Sequence, residues 1–104
     1  MAFFLTIVQL HDANPTADRK LQSGMEAAGF SRHLNCGDAD TCILPDSAYW
    51  YSSSRAGDDI ETARINELAR RAAGPTGKRF SILTVEVARG IAMIWDLDPV
   101  SQQK

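Results

Sequence analysis

Residues 2–11 read AFFLTIVQLH, and the fold follows from how this run divides between two faces. An extended chain sends alternate side chains to opposite sides. Phe3, Leu5 and Ile7 then point one way and Phe4, Val8 and Leu10 the other, with Thr6 between Phe4 and Val8. Both faces are largely apolar. An antiparallel sheet with helices on one side alone has a polar second face. This strand is therefore either central and covered on both sides, or it meets another subunit with its second face.

Outward from that strand, Asn14-Pro15 opens a helix. Asn is a favoured N-cap, and Pro suits the first helical position because its missing N–H has no intrahelical partner there. Ala17, Leu21, Met25 and Ala28 form one apolar stripe. Gly29 is placed to take a left-handed conformation, with Phe30 folding back on Met25. Ser31 to Cys36 reads as a second strand and Thr41 to Leu44 as the start of a third, joined by the polar turn Gly37-Asp38-Ala39-Asp40. Pro45 interrupts the third strand, which marks an edge or a bulge, and Tyr49-Trp50-Tyr51 continues it. Three consecutive aromatics cannot all point inward. Asp58 caps a second helix, with Glu61 at the spacing of a capping box. Ile65, Leu68, Ala69 and Ala72 form its stripe, Glu67 and Arg71 a favourable pair, and Gly74-Pro75 its stop. Arg79 to Val87 is a β-branched fourth strand. Arg89-Gly90 then makes a tight turn into a short fifth strand, Ile91 to Trp95, pairing back on the fourth.

The order β-α-β-β-α-β plus a short extra strand is that of the split-βαβ, ferredoxin-like α+β fold, an antiparallel sheet with two helices on one face. The 104 residues suit one domain over residues 1–98, with 99–104 a frayed, disordered tail. Apolar residues at 44% and charged residues at 23% are ordinary globular values. No apolar run approaches the roughly 20 residues that span a bilayer, and the N-terminus lacks a basic leading segment and cleavage site. The reading is a cytoplasmic protein that does not enter a membrane. A net charge of −2 disfavours strong non-specific binding of nucleic acid, while leaving room for a local basic patch.

Several residues carry candidate chemistry. Cys36 and Cys42 flank the hairpin turn, opposite one another, and read as ordinary thiols, as a reversible disulfide or, with Asp38 and Asp40, as metal ligands. The run lacks the paired CxxC of zinc sites, so no metal ligand set is assigned and no cofactor is expected, a divalent metal at Asp12 aside. His11 and Asp12 end the first strand at the rim of the sheet. Asp12 there would hold a divalent cation or orient a water for phosphodiester cleavage, or else belong to the loop that caps the helix. Arg32 and His33, with Tyr49, Trp50 or Tyr51 nearby, read as a stacking-plus-cation platform for single-stranded nucleic acid or as a solvated strand face. Lys78-Arg79 follows GPTG but lacks the GxxxxGK[ST] spacing of a phosphate loop.

The runs FLTIVQLH, AAGF with Arg32 beyond it, ILPDSAYWY, ARRAAG and KRFSILTVEV, over roughly residues 3–95, together resemble the small bacterial proteins grouped with the GhoS-type antitoxin of type V toxin–antitoxin systems. The resemblance implies a ferredoxin-like endoribonuclease, working as a homodimer, that cleaves a toxin transcript. On that reading Asp12 stands where related ribonucleases of CRISPR adaptation carry a strand-ending carboxylate. The strand here ends VQLHD, without their Tyr-Asp pair. Asp12 and His11 would assist cleavage, and Arg32, His33, Tyr49, Lys78 and Arg79 would contact single-stranded RNA. The competing reading is a non-catalytic dimeric interaction module, motivated by the two-sided first strand and the aromatic cluster. A third is a redox-sensing protein that uses Cys36 and Cys42.

Overall fold

A computed structural model describes residues 2–37 and 40–87, with the side chains of 35–40 left aside. The elements are β1 (Ala2–Leu10), α1 (Pro15–Ala27), β2 (His33–Gly37), β3 (Asp40–Ile43), β4 (Ala48–Ser53), α2 (Asp59–Ala73), a single 3-10 turn (Gly74–Thr76) and β5 (Phe80–Val87). The result is a small α+β domain. Among the described residues no helix is long and apolar enough to cross a membrane. The expected strand over Ile91–Trp95 and the tail over 99–104 lie outside the described residues.

β1 is the centre of a three-stranded antiparallel sheet in the order β4-β1-β5. Its register sets Leu5 opposite Trp50 on one side and Val85 on the other, and Ile7 opposite Ala48 and Leu83. Ala2, Phe4, Thr6 and Val8 are buried on one face, and both helices pack there. Leu21 and Met25 of α1 and Ile65 and Ala69 of α2 join Phe4 and Val8 in one core. Burying each large side chain contributes roughly 1.5–3 kcal/mol. Thr6 is tolerated at the centre because its hydroxyl meets that of Thr84 at 3.2 Å.

The expected third strand is in fact two. Pro45, Asp46 and Ser47 make a turn after β3, and β4 begins at Ala48. Ser47 takes a left-handed φ of 76° within it. β2 and β3 therefore pair as a separate hairpin. Ser31 ties this hairpin to β4 by two backbone bonds with Trp50, of 2.8 and 2.7 Å. Leu34 and Leu44 from the hairpin strands and their flank bury a second cluster with Ala48, against the partly buried Leu5 and Trp50. These three sheet residues lie on the face opposite the helices. The hairpin thus covers the β4 side of that face. Phe3, Ile7, Leu83 and Val85, toward β5, remain exposed.

The helix ends are as the local sequence dictates. Asn14 Oδ1 accepts the Ala17 N–H at 2.8 Å, with Pro15 at the first helical position. After α1, Gly29 has φ 103°. Its N–H reaches the Glu26 carbonyl at 3.1 Å and the Phe30 N–H the Met25 carbonyl at 3.0 Å, a complete Schellman motif. A Cβ at Gly29 would also come within 3.2 Å of the Tyr51 ring. Gly29→Ala is expected to cost about 1–2 kcal/mol, the penalty of a left-handed non-glycine residue. Gly74→Ala, at φ −53° with open space around it, is expected to be neutral or mildly stabilising. Urea unfolding of the two variants checks the contrast, and equal losses would contradict it.

Candidate functional site

Four of the sequence candidates meet at one end of the sheet. β1 runs out at Leu10, and the His11 N–H bonds to the Arg79 carbonyl at 2.8 Å just before β5 begins. This bond fixes His11, Asp12, Lys78 and Arg79 as neighbours at the rim. The His11 Nε2 lies 3.1 Å from the Ser81 hydroxyl, one residue into β5. Asp12 is exposed and holds a left-handed φ of 56°, a region that Asp tolerates better than most residues. The capping role open to Asp12 is taken by Asn14. Arg79 is exposed and Lys78 half-buried. The chain thus brings two cations, an imidazole bonded to a hydroxyl and an exposed carboxylate to the same rim, with His11–Ser81 the side-chain contact shown among them. Ser81 was not singled out by sequence. Only the β1–β5 register brings it under His11.

Arg32, His33 and Tyr49 sit elsewhere, where the hairpin meets α1. Arg32 is no solvated cation. Its guanidinium is largely buried, donates to the Leu44 carbonyl at 2.7 Å and to Asp46 Oδ1 at 3.2 Å, and lies 5.9 Å from the centre of the Tyr49 ring. Its Nε is shielded with no partner among the described residues. Tyr49 is only 3% exposed, and its ring meets Phe30 edge-on at 6.4 Å. Burial pushes its phenol up, and the Arg32 guanidinium works the other way. Neither ring face nor guanidinium edge is thereby offered as an open stacking platform. His33 is exposed at the start of β2. The aromatic that turns to the far face is Trp50, stacked on Phe3 at 5.7 Å with 25° between the rings. Tyr51 turns back against Phe30 at 5.1 Å.

The strongest electrostatic feature was invisible as a site in the sequence. Glu61 does sit at the capping spacing, and its N–H bonds to Asp58 Oδ1 at 2.7 Å. Its carboxylate, 3% exposed as a residue, does not reach back to the cap. It receives Arg64 Nε at 2.7 Å, Arg64 Nη2 at 2.6 Å and the Ser53 hydroxyl at 2.5 Å. The Arg64 guanidinium first, and the Ser53 hydroxyl next, hold this carboxyl down at about 2. Ser53 in turn accepts the Arg55 N–H at 3.0 Å. The cluster fastens the end of β4 to the start of α2. With every oxygen engaged and no nucleophile left free, it is a structural joint.

Cys42 is buried and disulfide-bonded, not a free thiol. The Cys36 side chain lies outside the described ones. Among the described residues no three His, Cys, Asp or Glu side chains gather as metal ligands would. No protein-family model, curated protein or solved structure matches the chain.

The Glu61 joint has a pH signature. A carboxyl lowered from 4.5 to about 2 on folding contributes stability that is complete above pH 4.5 and is lost as the pH falls toward 2. Glu61→Gln is expected to lower the urea midpoint at pH 7 and to flatten its decline across that acid window. Parallel pH curves for the two proteins would contradict this assignment.

Proposed function

We propose that this chain is a homodimeric interaction module whose outer sheet face seats a second copy of itself. The observation that carries the reading is the contiguous exposure of Phe3 and Ile7 on β1 beside Leu83 and Val85 on β5. Contiguous apolar patches of this kind mark interaction sites on soluble proteins. The outward positions of the two strands are Phe3, Leu5, Ile7, Gln9, Ser81, Leu83, Val85 and Val87, none of them charged. A charged partner finds no counter-ion there. A second copy about a two-fold axis presents apolar side chains to apolar side chains and polar Gln9 and Ser81 as part of a rim. The element order and antiparallel pairing support a ferredoxin-like arrangement, in which one sheet face is free of helices for such an association. A stable interface needs roughly 800 Å² from each partner, so the polar rim has to join the apolar centre.

A second reading keeps the antitoxin-like role. His11, Asp12, Lys78 and Arg79 converge at the sheet end, and this convergence favours contact with the phosphates of single-stranded RNA. In that reading Lys78 and Arg79 bind the backbone, and His11, oriented by Ser81, takes a proton from the attacking hydroxyl. Labelled single-stranded RNA, incubated with and without chelator at low salt, tests it. An unshifted, intact RNA ends this second reading.

For the dimer, light scattering across 5–500 µM protein (~two decades) is expected to report twice the chain mass. Leu83→Glu, which sets like charges face to face across the two-fold, is expected to give a folded monomer with an unchanged circular dichroism spectrum. A wild-type monomer throughout that range would overturn the reading.

A further inference from the structure

Asp18, Gln22 and Glu26 repeat every four residues and so share one line along α1. Between that line and the turn joining β3 to β4 lies a cavity of about 240 Å³, walled in part by Asp18, Leu21, Gln22, Arg32, Asp46 and Tyr49. Its polar groups are unevenly matched. Arg32 Nη2 is taken by the Leu44 carbonyl and Asp46 Oδ1, and Arg32 Nε is shielded. Gln22 Nε2 donates to Glu26 Oε1 at 3.2 Å, which leaves Gln22 Oε1 to accept. Asp18 is exposed and has no ion-pair partner among the described residues.

Tyr49 is the least satisfied of these groups. Its side chain is buried, yet among the described residues no hydrogen bond reaches its hydroxyl, which opens into the cavity and is not sealed in packing. Buried phenols normally find a partner, and an unmatched one is costly. The charges that act on this phenol are the Arg32 guanidinium and the carboxylates of Glu26, Asp18 and Asp46. Three carboxylates against one guanidinium leave two negative charges in excess.

We propose that this cavity binds a short aliphatic diamine as its dication. One ammonium sits among Tyr49 Oη, the Asp18 carboxylate and Gln22 Oε1. An ammonium has three donors and no acceptor, and these are three acceptors left without a donor. The methylene stem lies against Leu21. The second ammonium meets the outer oxygen of Asp46, whose Oδ1 alone is engaged by Arg32. The cavity is smaller than the roughly 300–1,000 Å³ of pockets that take drug-sized ligands, so it suits a stem of a few carbons. An anion is disfavoured, because Arg32 is already matched and the surrounding charge is negative. The proposal is independent of the dimer reading, since Tyr49 belongs to the helix-side core and the dimer would use the opposite face of the sheet.

Calorimetric titration of the full chain with putrescine at low salt tests it. One saturable site per chain is expected, and succinate, a dianion with the same four-carbon stem, is expected to give none. Asp18→Asn alters an exposed side chain and is expected to weaken binding about tenfold, the loss of one charge-assisted hydrogen bond. Asp59→Asn, at an exposed carboxylate on α2 outside the cavity, is expected to leave binding unchanged. Tyr49→Phe removes the hydroxyl and keeps the ring. It is expected to weaken binding several-fold while the urea midpoint without ligand stays the same or rises, because an unmatched buried hydroxyl is removed. A hydroxyl that served the fold alone would give a lower midpoint and unchanged affinity, and that result would overturn the proposal. So would the absence of saturable heat with putrescine, equal binding of succinate, or equal weakening by Asp18→Asn and Asp59→Asn.

Discussion

β1 has to be covered on both sides, and the arrangement of everything else depends on how that is met. Its even-numbered side chains Phe4, Thr6 and Val8 have no exposure. Two helices are needed to achieve this, since α1 supplies Leu21 and Met25 and α2 supplies Ile65 and Ala69. The helices can approach closely because Gly24 of α1 faces Ala72 of α2. A Cβ at Gly24 would already stand 3.1 Å from the Ala72 carbonyl oxygen. The odd-numbered side is met only in part. The β2–β3 hairpin reaches over Leu5 and Trp50 and stops short of Phe3 and Ile7. The helix-bearing face of the sheet holds the main core, and the other face leaves Phe3, Ile7, Leu83 and Val85 exposed.

Polar groups fasten the periphery to this core. The Arg32 guanidinium bridges Leu44 and Asp46 while lying over Tyr49, so one cation holds the turn between β3 and β4. Glu61, gripped by Arg64 and Ser53, holds the junction of β4 with α2. Such enclosed, charge-assisted bonds specify geometry as well as adding stability. The exposed Glu67 pairs with Arg70 and Arg71, at 3.7 and 3.5 Å, contribute little by comparison. The cations at the β3–β4 turn and the β4–α2 junction are spent on structure, and those near His11 at the sheet end are not.

Local rules made much of the fold legible. The two-face pattern of β1, the Asn14-Pro15 and Asp58 helix starts, and the Gly29-Phe30 stop all depend on residues within a few positions of one another. They were readable for that reason. What escaped depends on contacts distant in sequence. Pro45 announced an interruption but not that the chain would turn through Ser47 and send the hairpin across the outer face. Glu61 read as half of a capping box, and its cap bond is present. Its carboxylate was claimed by Ser53 on another element, which spacing alone cannot show. The candidate site divided in the same way. His11 and Asp12 were visible as the end of a strand. Their grouping with Lys78, Arg79 and Ser81 rests on a register spanning some seventy residues.

The central claim is that the helix-free face of β1 and β5 is a contact surface between two copies. A sample that mixes isotope-labelled with unlabelled chains, examined by filtered nuclear Overhauser spectroscopy, reads this contact directly. Cross-peaks between chains are predicted at the methyl groups of Ile7, Leu83 and Val85 and at the Phe3 ring, and none at Leu21, Met25 or Ile65. Between-chain cross-peaks absent from those four residues, with the same groups exchanging magnetisation with water, would contradict it.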